Sequence, residues 1–373
     1  MDRLNKILKK QITATFIAIF FGFLVATVIL AVAGYNPFEA FAVLFKGIFS
    51  RPKYMANVII KATPIILTGV SVAFAFKVGL FNIGAEGQFI IGTVAAAMAG
   101  ILLDLPAVLQ FPLLILIGMA AGALYGAIIG FLKAKYGIHE VITGIMLNWI
   151  AFYFCNYIVN THTFHQDNST GSKNIREAGF DIIYNWKKSA GGKSFLKENP
   201  TLMEIIGKTD LNIGIIFAIA AAIIITIVLN KTTKGFQLRA VGFNKDAAEF
   251  AGINIKKNMI HAMLIAGALS GLAGALMVTG ISHKLSTLGT FENYGFNGLS
   301  ISLIATNSPI GCIFAGLLFA GLLYGGGSIQ SEIGAPSEII NIMIGTIVFF
   351  VALSRFIPVL VDKYGRRGGK HVK

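Results

Sequence analysis

Residues 111–132 read FPLLILIGMAAGALYGAIIGFL, a run without one charged side chain. About 20 such residues, at roughly 1.5 Å of helical rise each, cross a hydrocarbon layer of about 30 Å. Gly118, Gly122, Gly126 and Gly130 recur within it at every fourth position. On a helix this spacing clears one face, so a neighbouring helix can approach to backbone contact. Gly267 with Gly271, and Gly321 with Gly325, repeat the device. Such a groove serves static packing or a moving or dimerising interface, and spacing alone does not separate the two.

The rest of the chain agrees with a membrane setting. Of 373 residues, 55% are hydrophobic and only 13% charged, about half the charge a soluble surface carries. Further apolar runs fall near 12–33, 58–76, 88–103, 139–159, 211–229, 259–281, 308–328 and 338–360, with a shorter one at 297–305. The stretch Ile12 to Val32, preceded by Arg3, Lys6, Lys9 and Lys10, is too long for a signal peptide and reads as the first anchor. The net charge of +14 fits basic cytoplasmic loops rather than nucleic-acid binding. Cys155 and Cys312 lie inside apolar runs, so neither a disulfide framework nor a metal site is indicated.

The expected fold is an all-α polytopic membrane protein of about ten membrane segments with both termini cytoplasmic. Lys133 and Lys135, the basic 230–258 segment and the tail from Lys363 to Lys373 then share the inner side. That assignment requires the 297–305 run to count as a crossing, as a half-helix joined to irregular backbone around Thr306 to Gly311. The chain is read as one transmembrane domain over 1–373. Residues 160–210 form a long external loop, and 34–57 an external segment with an amphipathic helix around Phe38 to Phe49.

Three constellations stand out. Phe81-Asn82-Ile83-Gly84-Ala85-Glu86-Gly87-Gln88 joins two apolar runs yet clusters Asn, Glu and Gln among glycines. It is either a tight turn or a broken helix exposing polar groups to a substrate path. Asn148 and Trp149 sit mid-span, and Asn297 and Asn307 bracket the short run. Each amide either bonds another helix or faces that path. In the 230–258 segment, Asn244 is placed to cap a short helix from Lys245 that Gly252 ends. Two turns are too short to persist alone in water, so this helix is expected to dock into another protein.

Several motifs fail. Gly191-Gly192-Lys193-Ser194 ends like a phosphate loop, but Lys187 stands where its first glycine is required. His162, His165 and Asp167 have no companion ligands in a second cluster, and no catalytic set is visible. No cofactor is expected on this chain. A self-sufficient carrier would require ionisable groups buried mid-membrane, whereas Glu86, Glu140 and Lys61 all fall near span ends.

Five motifs in order carry a family resemblance: Gly79 to Gln88; His139-Glu140-Val141-Ile142 with Asn148; Thr233-Lys234-Gly235-Phe236 through Gly252; Tyr294-Gly295-Phe296-Asn297-Gly298; and Pro336-Ser337-Glu338-Ile339-Ile340. The chain resembles the inner-membrane permeases of ribose-type, binding-protein-dependent ABC importers, nearest the nucleoside branch. The resemblance covers nearly the whole length. It implies a multi-pass permease of a bacterial-type plasma membrane, working with a second homologous permease, an ATP-binding subunit that holds ATP and Mg, and an external solute-binding lipoprotein. It implies that 242–252 is the coupling helix, with Gly242, Phe243, Asn244, Ala247, Ala248 and Gly252 meeting the ATPase. Phe81, Asn82, Glu86, Gln88, Asn148, Trp149 and Asn297 are then expected along the substrate pathway. Asn297 and Asn341 stand where the family usually has Asp. A permease for a simple sugar such as a pentose, or a secondary carrier, is the alternative.

Overall fold

The computed structural model describes residues 11–355. The basic residues expected at the two ends, Arg3 to Lys10 and Lys363 to Lys373, lie outside the described residues, and with them the evidence for the placement of both termini.

Within the described residues, each of the ten apolar runs lies on a helix. In chain order these are α1 (Gln11–Val32), the surface helix α2 (Pro37–Phe49), α3 (Pro52–Lys77), α4 (Ala85–Leu102), α5 (Ala107–Tyr136) and α6 (Glu140–Asn160). The short α7 (Ile182–Lys188) and α8 (Ala190–Glu198) follow, then α9 (Gly214–Lys231), α10 (Thr233–Phe243), α11 (Lys245–Phe250) and α12 (Ile255–Met277). The chain ends in α13 (Tyr294–Ile304), α14 (Pro309–Ile333) and α15 (Ser337–Ala352). Among the described residues, β pairing is confined to the isolated bridges His165 to Ser172 and Gly171 to Ser286.

Among the described residues seven helices, α3, α4, α5, α6, α9, α12 with its π turn, and α14, are long and apolar enough to cross a bilayer. An eighth span requires pairing Phe16–Val32 with α2, from which it is bent by 119°. The other two expected segments fall short: α13 has 11 residues and α15 has 16. At about 1.5 Å per residue neither covers about 30 Å on its own.

Two compact units result, one from residues through Ser50 with those from Gly321 onward, the other from Arg51–Ala320. In the first, α1 packs on α15, where a Cβ on Gly22 would stand 2.9 Å from the Ile347 Cα. The end of α2 lies along the second half of α14, with Lys46 and Glu332 3.6 Å apart.

The second unit is organised around α3, whose residues Ala62 to Ala75 are all buried. The glycine groove of α5 meets that of α12. A Cβ on Gly122 would lie 2.5 Å from the Gly267 carbonyl oxygen and 2.7 Å from the Gly271 Cα. Gly92 of α4 closes on the same point, where an added Cβ would lie 2.5 Å from the Gly271 Cα. Three helices thus meet backbone to backbone, which only glycine permits. The stretch expected as a long loop holds α7 and α8. Its residues pack back on the unit: Asp181 accepts from Ile183 N (2.9 Å) and Ile213 N (3.2 Å), and Phe180 and Tyr184 lie 4.2 and 4.5 Å from the His283 ring. Gly191 to Ser194 belong to α8, so the phosphate-loop-like string is helical throughout.

Gly122→Leu is expected to cost well over the roughly 1–3 kcal/mol of ordinary overpacking, since backbone atoms fill the space its side chain needs. Gly345→Ala, with nothing within 4 Å of the added Cβ, is the matched control. Thermal unfolding of the purified protein in detergent checks the pair. Similar melting temperatures would show that the α5–α12 contact is looser than described.

Candidate functional site

Just beyond α3 stands Gly79, whose φ of +74° suits a residue without Cβ. Gly79 N bonds to Phe76 O at 3.1 Å and Leu80 N to Ala75 O at 3.0 Å, which satisfies the last carbonyls and turns the chain back on itself. Asn82 is thereby carried into the protein, where it is fully buried. Its amide and that of Gln88 form a reciprocal pair: Asn82 Nδ2 donates to Gln88 Oε1 (2.9 Å) and Gln88 Nε2 donates to Asn82 Oδ1 (3.0 Å). Asn82 Nδ2 also reaches Ser71 Oγ (3.2 Å), which donates to Ala266 O (2.6 Å) and accepts from Ser270 Oγ (3.0 Å). Asn148 supports the other side, accepting from Gly87 N (2.8 Å) and donating to Ile83 O (3.0 Å). Buried polar groups are costly unless paired, and here every amide has partners. Lys133 and Glu140 form an ion pair at 2.8 Å beside Phe81 N, which lies 3.5 Å from Glu140 Oε1.

Glu86 is also fully buried. Its Oε1 accepts from Asn293 N at 2.8 Å and its Oε2 from Gly295 N at 2.6 Å. The carboxyl group therefore caps α13, where helix amides lack intrahelical partners. Thr68 fixes the same turn by donating to Tyr294 O at 2.8 Å. Gly295 has no alternative at this spot, since a Cβ would lie 2.5 Å from the Glu86 Cα. Helix α13 begins three residues before Asn297, so Asn297 lies within it, half-buried, rather than at its start. Beyond its end, Thr306 and Asn307 take φ of 55° and 56° before α14 starts at Pro309. The irregular stretch is thus shorter than Thr306 to Gly311.

In the basic segment, α11 runs Lys245–Phe250, with the Asn244 side chain accepting from Ala247 N at 3.1 Å and Gly252 at φ +78°. Ala248 is buried, Ala247 is exposed, and Phe243 and Phe250 are 88% and 98% exposed. Two phenyl rings so bare, one at the end of α10 and one at the end of α11, give this segment exposed apolar surface. Gly242, at the end of α10, rests on the end of α3. A Cβ there would be 2.5 Å from the Lys77 carbonyl oxygen and 3.0 Å from Gly79 N.

Asn82 and Gln88 thus bond one another, Glu86 and Asn148 bond backbone close by, and Phe81 is half-buried and packs on Phe76. Trp149 points away from them, 45% exposed, with its ring 4.8 Å from Phe291. Asn341 is exposed on α15. Ser71, Ser270, Thr68 and Asn156 were missed, because a serine or asparagine inside an apolar run carries no local signal of its partner. Helix α10 was missed too, although Thr232 caps it by accepting from Gly235 N at 3.0 Å.

Apolar helices too many for any soluble core, with a deep break held by buried amides, define a polytopic membrane transport protein. Residues 54–353 match the family of the permease component of the branched-chain amino acid transport system, and the chain belongs to that family. It is 40% identical over 353 residues to the guanosine ABC transporter permease protein NupP of Bacillus subtilis, spanning 94% of this chain and 96% of the relative. It is 37% identical to the nucleoside ABC transporter permease protein NupB of Lactococcus lactis over 95% of this chain and 94% of that one. The glucose ABC transporter permease protein TsgB13 of Haloferax volcanii is 29% identical, over 89% and 84%.

Glu86→Leu leaves Gly295 N buried without an acceptor, at about 1–3 kcal/mol, and frees the part-buried Asn293 N at a smaller cost. Glu86→Gln keeps one acceptor oxygen and so is expected to lose less than half as much. Both proteins should reach the membrane. Detergent melting curves give the order, and equal stability of wild type and the Leu variant would remove Glu86 as the cap.

Proposed function

We propose that the chain is the permease subunit of an ABC importer for nucleosides, converting ATP hydrolysis on a partner subunit into solute entry across a bacterial plasma membrane. The observation that carries this is the likeness, over nearly the whole of both chains, to two nucleoside permeases. The geometry adds a means of coupling: the exposed Phe243 and Phe250 at the ends of α10 and α11 suit docking on a motor subunit, and Gly242 seats α10 directly on the turn that leads to Asn82 and Glu86. In this reading Gly242, Phe243, Asn244, Ala247, Ala248 and Gly252 form the coupling site. Asn82, Glu86, Gln88 and Asn148, with Phe81, hold the backbone around the solute path, and Trp149 and Asn297 reach its wall. ATP and Mg belong to the partner, a second homologous permease completes the path, and an external lipoprotein delivers solute.

We further propose ten membrane segments with both ends cytoplasmic. The short α13 serves as the inner half of a crossing whose outer half is the irregular stretch before Tyr294, which returns the tail to the cytoplasmic side, while the six crossings before Lys231 put α10 and α11 there. The sugar reading has one point in its favour, the glucose permease among the relatives.

Gly242→Leu must displace the end of α3, and Gly252→Val puts a branched residue at positive φ. Each is expected to abolish uptake while solute still binds the external receptor. Uptake in cells carrying the complete transporter, with labelled nucleosides, glucose and pentoses, checks this. Undiminished uptake in both variants would reject the coupling site, and uptake of sugars alone would reject the nucleoside assignment.

A further inference from the structure

Residues 170–175 lie along residues 283–287 through a run of backbone bonds. Ile175 N donates to His283 O (2.9 Å), Ser172 N to Leu285 O (2.8 Å) and Thr287 N to Thr170 O (3.0 Å). Further on, Asp181 N donates to Thr279 O at 2.9 Å. The segment from Thr170 to Asp181 is thus laid against the end of α12 and the extended stretch that follows it. That stretch continues to Asn293, whose N–H is held by Glu86.

His283 stands on this seam. It follows Ser282, the last residue of the α12 span, and closes the π turn Val278–Ser282 with φ of 55°, its N–H bonding Val278 O at 3.0 Å. Its ring makes a closed triangle with those of Phe180 and Tyr184, at 4.2 and 4.5 Å, the latter two being 5.1 Å apart. Nδ1 and Nε2 are both buried, and neither has a hydrogen-bond partner among the described residues. Buried polar atoms are nearly always paired. A third phenyl ring would fill this place without leaving two nitrogens orphaned.

What an imidazole adds is a second proton near neutral pH, which makes both nitrogens donors. Here neither donor meets an acceptor. Aromatic faces attract a cation, but weakly beside the hydration that a charged ring gives up on burial. Lys187 and Lys188 of α7 face the ring and repel a charge on it, and Lys284 is its neighbour in the chain. Asp210 attracts one, but is itself paired with Lys187 at 3.5 Å. The Asp181 carboxylate is taken up by Ile183 N and Ile213 N. Burial above all, with the two lysines of α7, holds the His283 pKa below its ordinary value.

We propose that His283 is the pin of an acid-released latch: a proton on its ring loosens the Ile175–Tyr184 segment from the end of α12. The ring takes its proton more readily once the segment has lifted and water reaches it, so acid favours the lifted form. The latch is therefore closed above the ordinary histidine value of about 6.5 and weakens as pH falls below it. In the topology proposed above this face lies outside the cell, so the medium supplies the proton. The latch does not depend on which solute is carried.

Hydrogen–deuterium exchange of the complete transporter in lipid nanodiscs, corrected for the pH dependence of intrinsic exchange, reads the latch directly. Between about pH 7.5 and about pH 5.5, a range that brackets histidine titration, the amides of Ile175 to Tyr184 are expected to lose protection several-fold. Those of α5 and α12 are expected to keep theirs. His283→Phe retains a third ring that cannot take a proton, and its segment should stay protected at both pH values. His162 and His165, on the same side of the protein chain's long connection, remain in that variant. Wild-type exchange that ignores pH, or that responds equally in the Phe variant, overturns the latch. Should the Phe variant lack protection already at the higher pH, the wild-type ring decides, by NMR of isotope-labelled histidine assigned with His283→Gln. Titration below the ordinary value, in step with the loss of protection, upholds the latch. Titration at or above that value overturns it.

Discussion

The Glu86 carboxyl group holds two helix beginnings together. It lies in the first turn of α4 and caps the first turn of α13. Each helix start presents unpaired amides and about half a positive charge. Two such ends pressed together inside a protein repel, and without water their amides have nowhere to turn. A single carboxyl group placed between them answers both problems, and the favourable contact with two helix ends offsets the several kcal/mol that burying it costs. Without that group, α13 could not begin where it does, and a helix of 11 residues has little cooperativity of its own to fall back on.

The surrounding packing follows from the need to bring backbone so close. Gly295 lets α13 reach Glu86, and Gly298 lets it pass Thr68, where a Cβ would be 2.6 Å from the hydroxyl oxygen. Gly87 leaves room for Asn148, whose amide oxygen would otherwise meet a Cβ at 2.9 Å. Asn148 then bonds Gly87 N and Ile83 O, which the broken backbone leaves open, while the amides of Asn82 and Gln88 bond each other and Ser71. Polar and small residues are two halves of one requirement: the first satisfy exposed peptide groups, and the second let the partners arrive.

Much of this was legible. Each apolar run is helical as far as the described residues go, and the four-residue glycine spacing of α5 does mark a face in contact, with the glycines of α12 as its counterpart. Asn244 and Gly252 bound a short helix as their chemistry suggests. What could not be read was which helix meets which. A run of apolar residues says that a helix is buried or bathed in lipid, but gives no bearing to its neighbours. The Phe81 to Gln88 cluster looked equally like a turn or a broken helix, and it proved to share features of both, a turn at Gly79 followed by a buried amide cluster. Its polar residues face one another rather than open space, and that follows from Ser71 and Ser270, whose partners are far away in sequence. Helix α13 starts earlier than its hydropathy suggests, because Tyr294 and Gly295 owe their place to Glu86 and not to apolar character.

These contacts connect the basic segment to the middle of α6 through parts with little slack. Gly242 abuts the last carbonyls of α3, and the chain from Gly79 to Asn82 is pinned by paired amides. Ile83 and Gly87 are tied to Asn148, Glu86 is tied to Asn293, and Phe291 lies on Trp149. Each link is backbone contact, a short hydrogen bond or a packed ring, and none depends on a long solvated side chain that could absorb a shift. Close-packed interiors have low compressibility, so a displacement of α10 cannot end at Gly79. It must be passed on through the amide cluster or broken there. An importer whose motor acts from outside the membrane needs such a stiff connection, and the buried amides of α4 and α6 are where this chain would have to provide it.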